Sequence, residues 1–135
     1  MHALADTKTP FHIDLDWWRR NERNLGRFLA EILGEEEPEL PADSAIDYID
    51  PHTAEVQQLD PLWVKVLVQR AHQPDFITSA TPLTSAVLRA FIENRNQPMT
   101  PTQLHKRINR TSPETVLRVL KTAQRSYGIF PVEEG

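Results

Sequence analysis

Six basic side chains between positions 106 and 125 carry the most evident chemistry in this 135-residue chain. Arg118, Lys121 and Arg125 recur at i, i+3 and i+7, so a helix through them presents one cationic stripe. Lys106, Arg107 and Arg110 stand just upstream. Cations spaced along a surface in this way bind phosphate oxygens. Ser112, Glu114 and Thr115 open the same stretch and, with Arg118, carry the donors and acceptors that read the edges of bases. Glu114 also has a simpler reading, as a favourable charge against a helix N-terminus.

The charge along the chain sharpens that reading. The net charge is −4, but it is unevenly divided. Residues 1–81 hold seven Lys/Arg against fifteen Asp/Glu, whereas residues 82–125 hold eight against two, and the last ten residues add two acids. A basic segment follows an acidic one, and the basic part is the candidate binding surface. An ordinary solvated helix face is the competing explanation.

Other chemistries have weaker footing. His12, Asp14 and Asp16 alternate along one stretch, and His72 and Asp75 form a second small cluster. A metal site needs about four convergent ligands, and Asp16 is already accounted for as a helix cap, so no metal or cofactor is expected. With four glycines there is no phosphate-cradling loop, and no nucleophile elbow or zincin pattern occurs. The chain has no cysteine. The expectation is a protein that is not an enzyme. No apolar run reaches the roughly 20 residues of a membrane span and no secretory signal is visible, so a cytoplasmic location is expected.

The elements that must position the basic residues follow from caps and periodicity. Residues 1–10 read as a mobile tail. Residues 11–34 read as an N-terminal arm, with Phe11, Ile13 and Leu15 alternating in a short strand before a helix capped by Asp16 and closed by Gly34. Residues 35–44 form an acidic, proline-broken linker. In residues 45–80, Ile46, Tyr48 and Ile49 precede a turn at 51–54 and Val56 and Leu59 follow it, which is a β-hairpin, and a largely buried helix spans about 61–71. Four helix starts share one device, a capping residue followed by proline: Asp60-Pro61, Thr81-Pro82, Thr100-Pro101 and Ser112-Pro113. Thr100 with Gln103 adds a capping box. The spacing predicts helices over about 82–95, 101–108 and 113–125, then an edge strand through Tyr127, Ile129 and Val132.

The run Leu104-His105-Lys106-Arg107-Ile108-Asn109, followed by Glu114-Thr115-Val116-Leu117-Arg118-Val119-Leu120, resembles the helix-turn-helix of winged-helix domains. Asn109 stands where a left-handed turn residue is wanted. The resemblance covers residues 81–135 and implies a module whose second helix, 113–125, enters the major groove of double-stranded DNA. Its contacts would come from Lys106, Arg107, Arg110, Ser112, Glu114, Thr115, Arg118, Lys121 and Arg125. Three departures stand out. His105 replaces a small residue, the turn is one residue longer than usual, and the chain after Val132 has no room for a two-stranded wing. Either the wing is missing, or the 127–132 strand pairs with Met99 or with a strand from the N-terminal half.

The expected architecture is thus α+β and mainly helical: an N-terminal helix and β-hairpin, then a winged-helix-like module with a truncated wing. The expected function is DNA binding in a transcription-regulating role, as a homodimer. The alternative is a protein-docking module that does not bind DNA, favoured by the acidic N-terminal half and by Trp17 and Trp18. These neighbours point about 100° apart on a helix, so one of them is a candidate partner contact.

Overall fold

The computed structural model describes residues 5–21, 27–29, 46–49, 54, 56–59 and 61–132. Its architecture is α+β. Strand β1 (Phe11–Ile13) and helix α1 (Leu15–Arg20) come first, then a hairpin of β2 (Ile46–Ile49) and β3 (Val56–Leu59). Helices α2 (Pro61–Gln69), α3 (Leu83–Glu93), α4 (Pro101–Ile108) and α5 (Pro113–Tyr127) follow, and β4 (Ile129–Pro131) closes the described order.

β1 is the pivot of the fold. Phe11 and Ile13 are buried while His12 is half-exposed, the period-2 signature of a strand with one apolar face. On one edge β1 pairs antiparallel with β4, placing Phe11 opposite Pro131 and Ile13 opposite Ile129. On the other edge Phe11 exchanges backbone hydrogen bonds with Met99, at 2.8 and 2.9 Å. Beyond Met99 no strand continues, and a side chain takes over the ladder. The Ile13 N–H donates to Asn96 Oδ1 and Asn96 Nδ2 donates to the Ile13 carbonyl, both at 2.8 Å. Asn96 does this from a left-handed backbone, φ 58°, which asparagine tolerates. The terminal strand therefore pairs with a strand from the N-terminal half, and Met99 flanks the opposite side. Pro131 falls in β4, whose one partner strand is β1, in keeping with its missing donor.

The segment ahead of β1 is also built in. Thr7 offers its carbonyl to Thr102, accepting from the backbone N–H at 3.2 Å and from the hydroxyl at 3.0 Å, and Asp6 and Thr9 close a small turn. Residues 5–10, part of the stretch expected as a mobile tail, strap across the start of α4 and satisfy one of its free N–H groups. At α1 the cap is Asp14, one of whose carboxylate oxygens accepts from the N–H groups of Asp16 and Trp17. Asp16 was expected there, but the helix begins at Leu15, so Asp16 sits in its first turn. Gly34 and the acidic linker 35–44 lie outside the described residues.

Two apolar clusters share α3. The first gathers Phe11, Ile13, Trp18, Val87, Leu88, Phe91, Leu104, Val116, Leu120 and Ile129. The second holds Leu29, Trp63, Val66, Phe76 and Ile92, with Trp63 Nε1 donating to the Ile92 carbonyl at 3.0 Å. α3 contributes to both because its apolar stripe is broad. α2 is less buried than its sequence suggests: Trp63 and Val66 face inward, while Val68 is 60% exposed. Its apolar residues run all round the helix, and among the described residues one side meets a neighbour. The predicted hairpin strands pair Ile46 with Leu59 and Ile49 with Val56.

α3 starts one residue later than the proline rule implies. Pro82 occupies the cap position and makes no capping bond, having no side-chain acceptor, while the Thr81 hydroxyl is engaged in a turn, accepting from the Thr78 N–H at 3.0 Å. Arg89 fastens the preceding loop, lying 5.5 Å over the Phe76 ring and donating to the Phe76 carbonyl at 2.8 Å. Burial lowers the Arg89 pKa from its ordinary value, nearby Arg70 lowers it further, and Asp75 opposes both.

Candidate functional site

Thr100 and Gln103 form the expected reciprocal capping box at the start of α4. Asn109 ends α4 in the left-handed conformation, φ 58° and ψ 40°. The turn contains a second left-handed residue, Thr111, at φ 70°. Ser112 then caps α5, its hydroxyl accepting from the Thr115 N–H at 3.2 Å, with Pro113 in the first turn. His105, out of place by the helix-turn-helix pattern, acquires a job here. Its Nε2 lies 2.9 Å from the Thr111 carbonyl, so the ring spans the turn from α4 to the residue before α5.

α5 sorts its residues by face. Val116, Leu120 and Ala123 are buried, and Leu117, Val119 and Tyr127 are half-buried. Glu114, Arg118 and Lys121 are exposed and fall on one side at i, i+4 and i+7. The Arg118 and Lys121 side chains have no ion-pair partner among the described residues, and neither does exposed Lys106 on α4. The side chain of Arg125 lies outside the described residues.

The remaining basic candidates are differently placed. The Arg107 guanidinium makes a two-pronged contact with Glu93 at the end of α3, one prong at 2.9 Å, which neutralises it locally. Arg110 donates to two backbone carbonyls of the 78–81 loop, those of Ser79, at 2.5 Å, and Thr81. Arg110 therefore keeps its charge but turns two of its five donors inward, tying the α4–α5 turn to the entry of α3. Ser112 and Thr115 bond to each other through their hydroxyls at 3.0 Å as part of the cap, so they serve the helix start first. Of the eight predicted contacts whose side chains are described, Lys106, Glu114, Arg118 and Lys121 are those left exposed and uncommitted. The cue for Arg107 was Glu93, one of only two acids in residues 82–125. For Arg110 no local signal exists, since carbonyl acceptors leave no mark in a side-chain pattern.

Beside this face, a cleft of about 240 Å³ opens between the first turn of α3 and α5. Thr84 lines it from α3, and Thr115, Arg118, Val119, Thr122 and Tyr127 from α5.

The tryptophan pair turns inward. Trp18 is 6% exposed, and its Nε1 donates to the Tyr127 carbonyl at 2.8 Å. Trp17 packs on Gly128 and meets Trp18 edge to face at 6.4 Å. The expectation of a partner contact is corrected for Trp18, because its ring is covered by this chain's own core. Trp17 keeps only a partly exposed edge. Among the described residues, no group of three or more His, Asp or Glu converges as a metal site, and Asp14 is engaged as a cap and lies 3.9 Å from Arg20. Among them too, no helix is long and apolar enough to cross a membrane. Comparison of the chain with protein families, curated proteins and solved structures gives no match.

Proposed function

We propose that α3, α4 and α5, with the small sheet centred on β1, form a winged-helix-like module that binds double-stranded DNA through the exposed face of α5. The observation that carries this reading is the pair Arg118 and Lys121, exposed and uncommitted on a helix whose opposite face is locked into the core. α5 follows α4 through a tight turn fixed by Asn109, Thr111, His105 and the Ser112 cap, so its outer face is held rigidly. Lys106 extends the cationic surface from α4, and the Arg110 guanidinium adds to the local positive potential although two of its donors are turned to the 78–81 loop. Glu114, at the front of the helix, is placed to accept from a cytosine amino group or to complement the helix dipole. A transcription-regulating role in the cytoplasm belongs to this same proposal.

Fluorescence anisotropy with mixed-sequence duplex DNA at two salt concentrations tests it. Phosphate contacts from Lys106, Arg118 and Lys121 give a slope of log K against log salt of about −2.7, at roughly −0.9 per contact. The double variant Arg118→Ala/Lys121→Ala removes most of the affinity while leaving the melting temperature nearly unchanged, because exposed charges contribute little to stability. Absence of duplex binding at low salt refutes the proposal and makes protein docking the leading reading.

A further inference from the structure

The walls of the cleft between α3 and α5 are mostly carbon. Val119, Ala123 and the Tyr127 side chain line it, together with Thr115 and Thr122. The hydroxyls of these two threonines are already engaged: Thr115 Oγ1 lies 3.0 Å from Ser112 Oγ, and Thr122 donates to the Arg118 carbonyl at 3.0 Å. Three polar groups of the lining have no such partner among the described residues, the Thr84 and Tyr127 hydroxyls and the Arg118 guanidinium. Among the described residues no carboxylate lines the cleft. Apolar walls with a few uncommitted polar groups are the physical character of a small-molecule site.

Size and charge narrow the ligand. A cavity of roughly 150 Å³ holds a benzene molecule, whereas drug-sized ligands occupy roughly 300 Å³ or more. At about 240 Å³ the cleft suits one ring with a short polar arm. Among the described lining residues the one charged group is the Arg118 guanidinium, whose planar fork matches a carboxylate with two parallel donors. An amine would be repelled.

We propose that this cleft binds a small monocarboxylate with an apolar body of about one ring. Arg118 pairs with the carboxylate, the Thr84 hydroxyl donates a further hydrogen bond, and the ring lies against Val119 and Ala123. Arg118 also belongs to the DNA-binding face proposed above, and on that reading, which this consequence rests on, the carboxylate and DNA compete.

The test is a titration of phenylacetate into the full ¹⁵N-labelled chain, followed by amide chemical shifts. Saturable shifts at Thr84, Thr115, Val119 and Thr122 are expected, with a Kd of about 1 mM for a ligand of this size. Benzylamine at equal concentration gives none. Arg118→Gln weakens phenylacetate about tenfold or more, and Val119→Trp, which fills the cleft and spares Arg118, abolishes binding. Equal binding of benzylamine, unchanged affinity in Arg118→Gln, or saturable shifts confined to other residues overturns the site. A duplex-anisotropy arm separates the two readings: phenylacetate that saturates the cleft without raising the Kd for DNA overturns the competition. No duplex binding at all refutes the DNA reading and leaves the site to be decided by the shifts.

Discussion

Thr111 adopts φ 70° in the turn before α5, a conformation that costs a β-branched residue energy. The turn is closed around it by Asn109 and by the His105 ring, which compensate for the strain. Thr111→Asn, which tolerates this backbone, should raise the urea midpoint by the equivalent of about 0.5–1 kcal/mol. An unchanged or lowered midpoint would show that the Thr111 side chain contributes something asparagine does not replace. Gly128 presents the opposite case. It ends α5 at φ 60°, and a Cβ there would lie 2.4 Å from Trp17 Cε3. Both the backbone and the ring forbid a side chain, so Gly128→Ala should cost about 3 kcal/mol, read as a drop in thermal midpoint. A loss below about 1 kcal/mol would mean that Trp17 swings away freely and is not part of the fixed packing.

At the scale of elements, the junction between α3 and α4 depends on an amide standing in for a strand. Asn96 mates with the backbone of Ile13 on both sides, a contact between residues 83 positions apart. Asn96→Ala removes both hydrogen bonds, leaves two backbone groups unsatisfied and puts alanine at φ 58°. A destabilisation of about 2–4 kcal/mol is expected, with loss of amide-exchange protection at Ile13 as the local readout. Retained protection at Ile13 would count against this role. Elements defined by local chemistry were legible beforehand. The capping box at Thr100, the Ser112 cap and the left-handed Asn109 depend on residues within a few positions of one another. The cap at Asp14 was displaced to Asp16 because two aspartates flank the helix start and a two-residue shift of that start decides between them. Thr81 misled for a related reason, since its hydroxyl is claimed by a turn with Thr78. The fates of Arg107 and Arg110 depend on how α3 and its entry loop pack, which no periodicity reveals. The exposed charges Arg118 and Lys121, by contrast, were readable as the polar side of an amphipathic helix.

At the scale of the whole molecule, a boundary at residue 81 does not separate an arm from a module. Phe11, Ile13 and Trp18 lie in the same apolar cluster as Phe91, Leu104, Val116 and Leu120. A fragment of residues 81–135 should therefore lack cooperative thermal unfolding by circular dichroism, and a peptide of residues 5–21 added in trans should restore part of it. Cooperative melting of the fragment alone would mean that the helices close a core without β1.

The seat of β1 between Met99 and β4 also governs the order of events during synthesis. Its β4 partners, Ile129 to Pro131, are distant from it in sequence, and Val132 adds a hydrogen bond to the Pro10 carbonyl. Until those residues leave the ribosome, Phe11 and Ile13 have no β4 to pair with, while the hairpin and α2 are already translated. Loop closure over such a span is slow compared with forming a local helix. β1 thus waits, uncovered on one edge, while all the residues that separate it from β4 are translated.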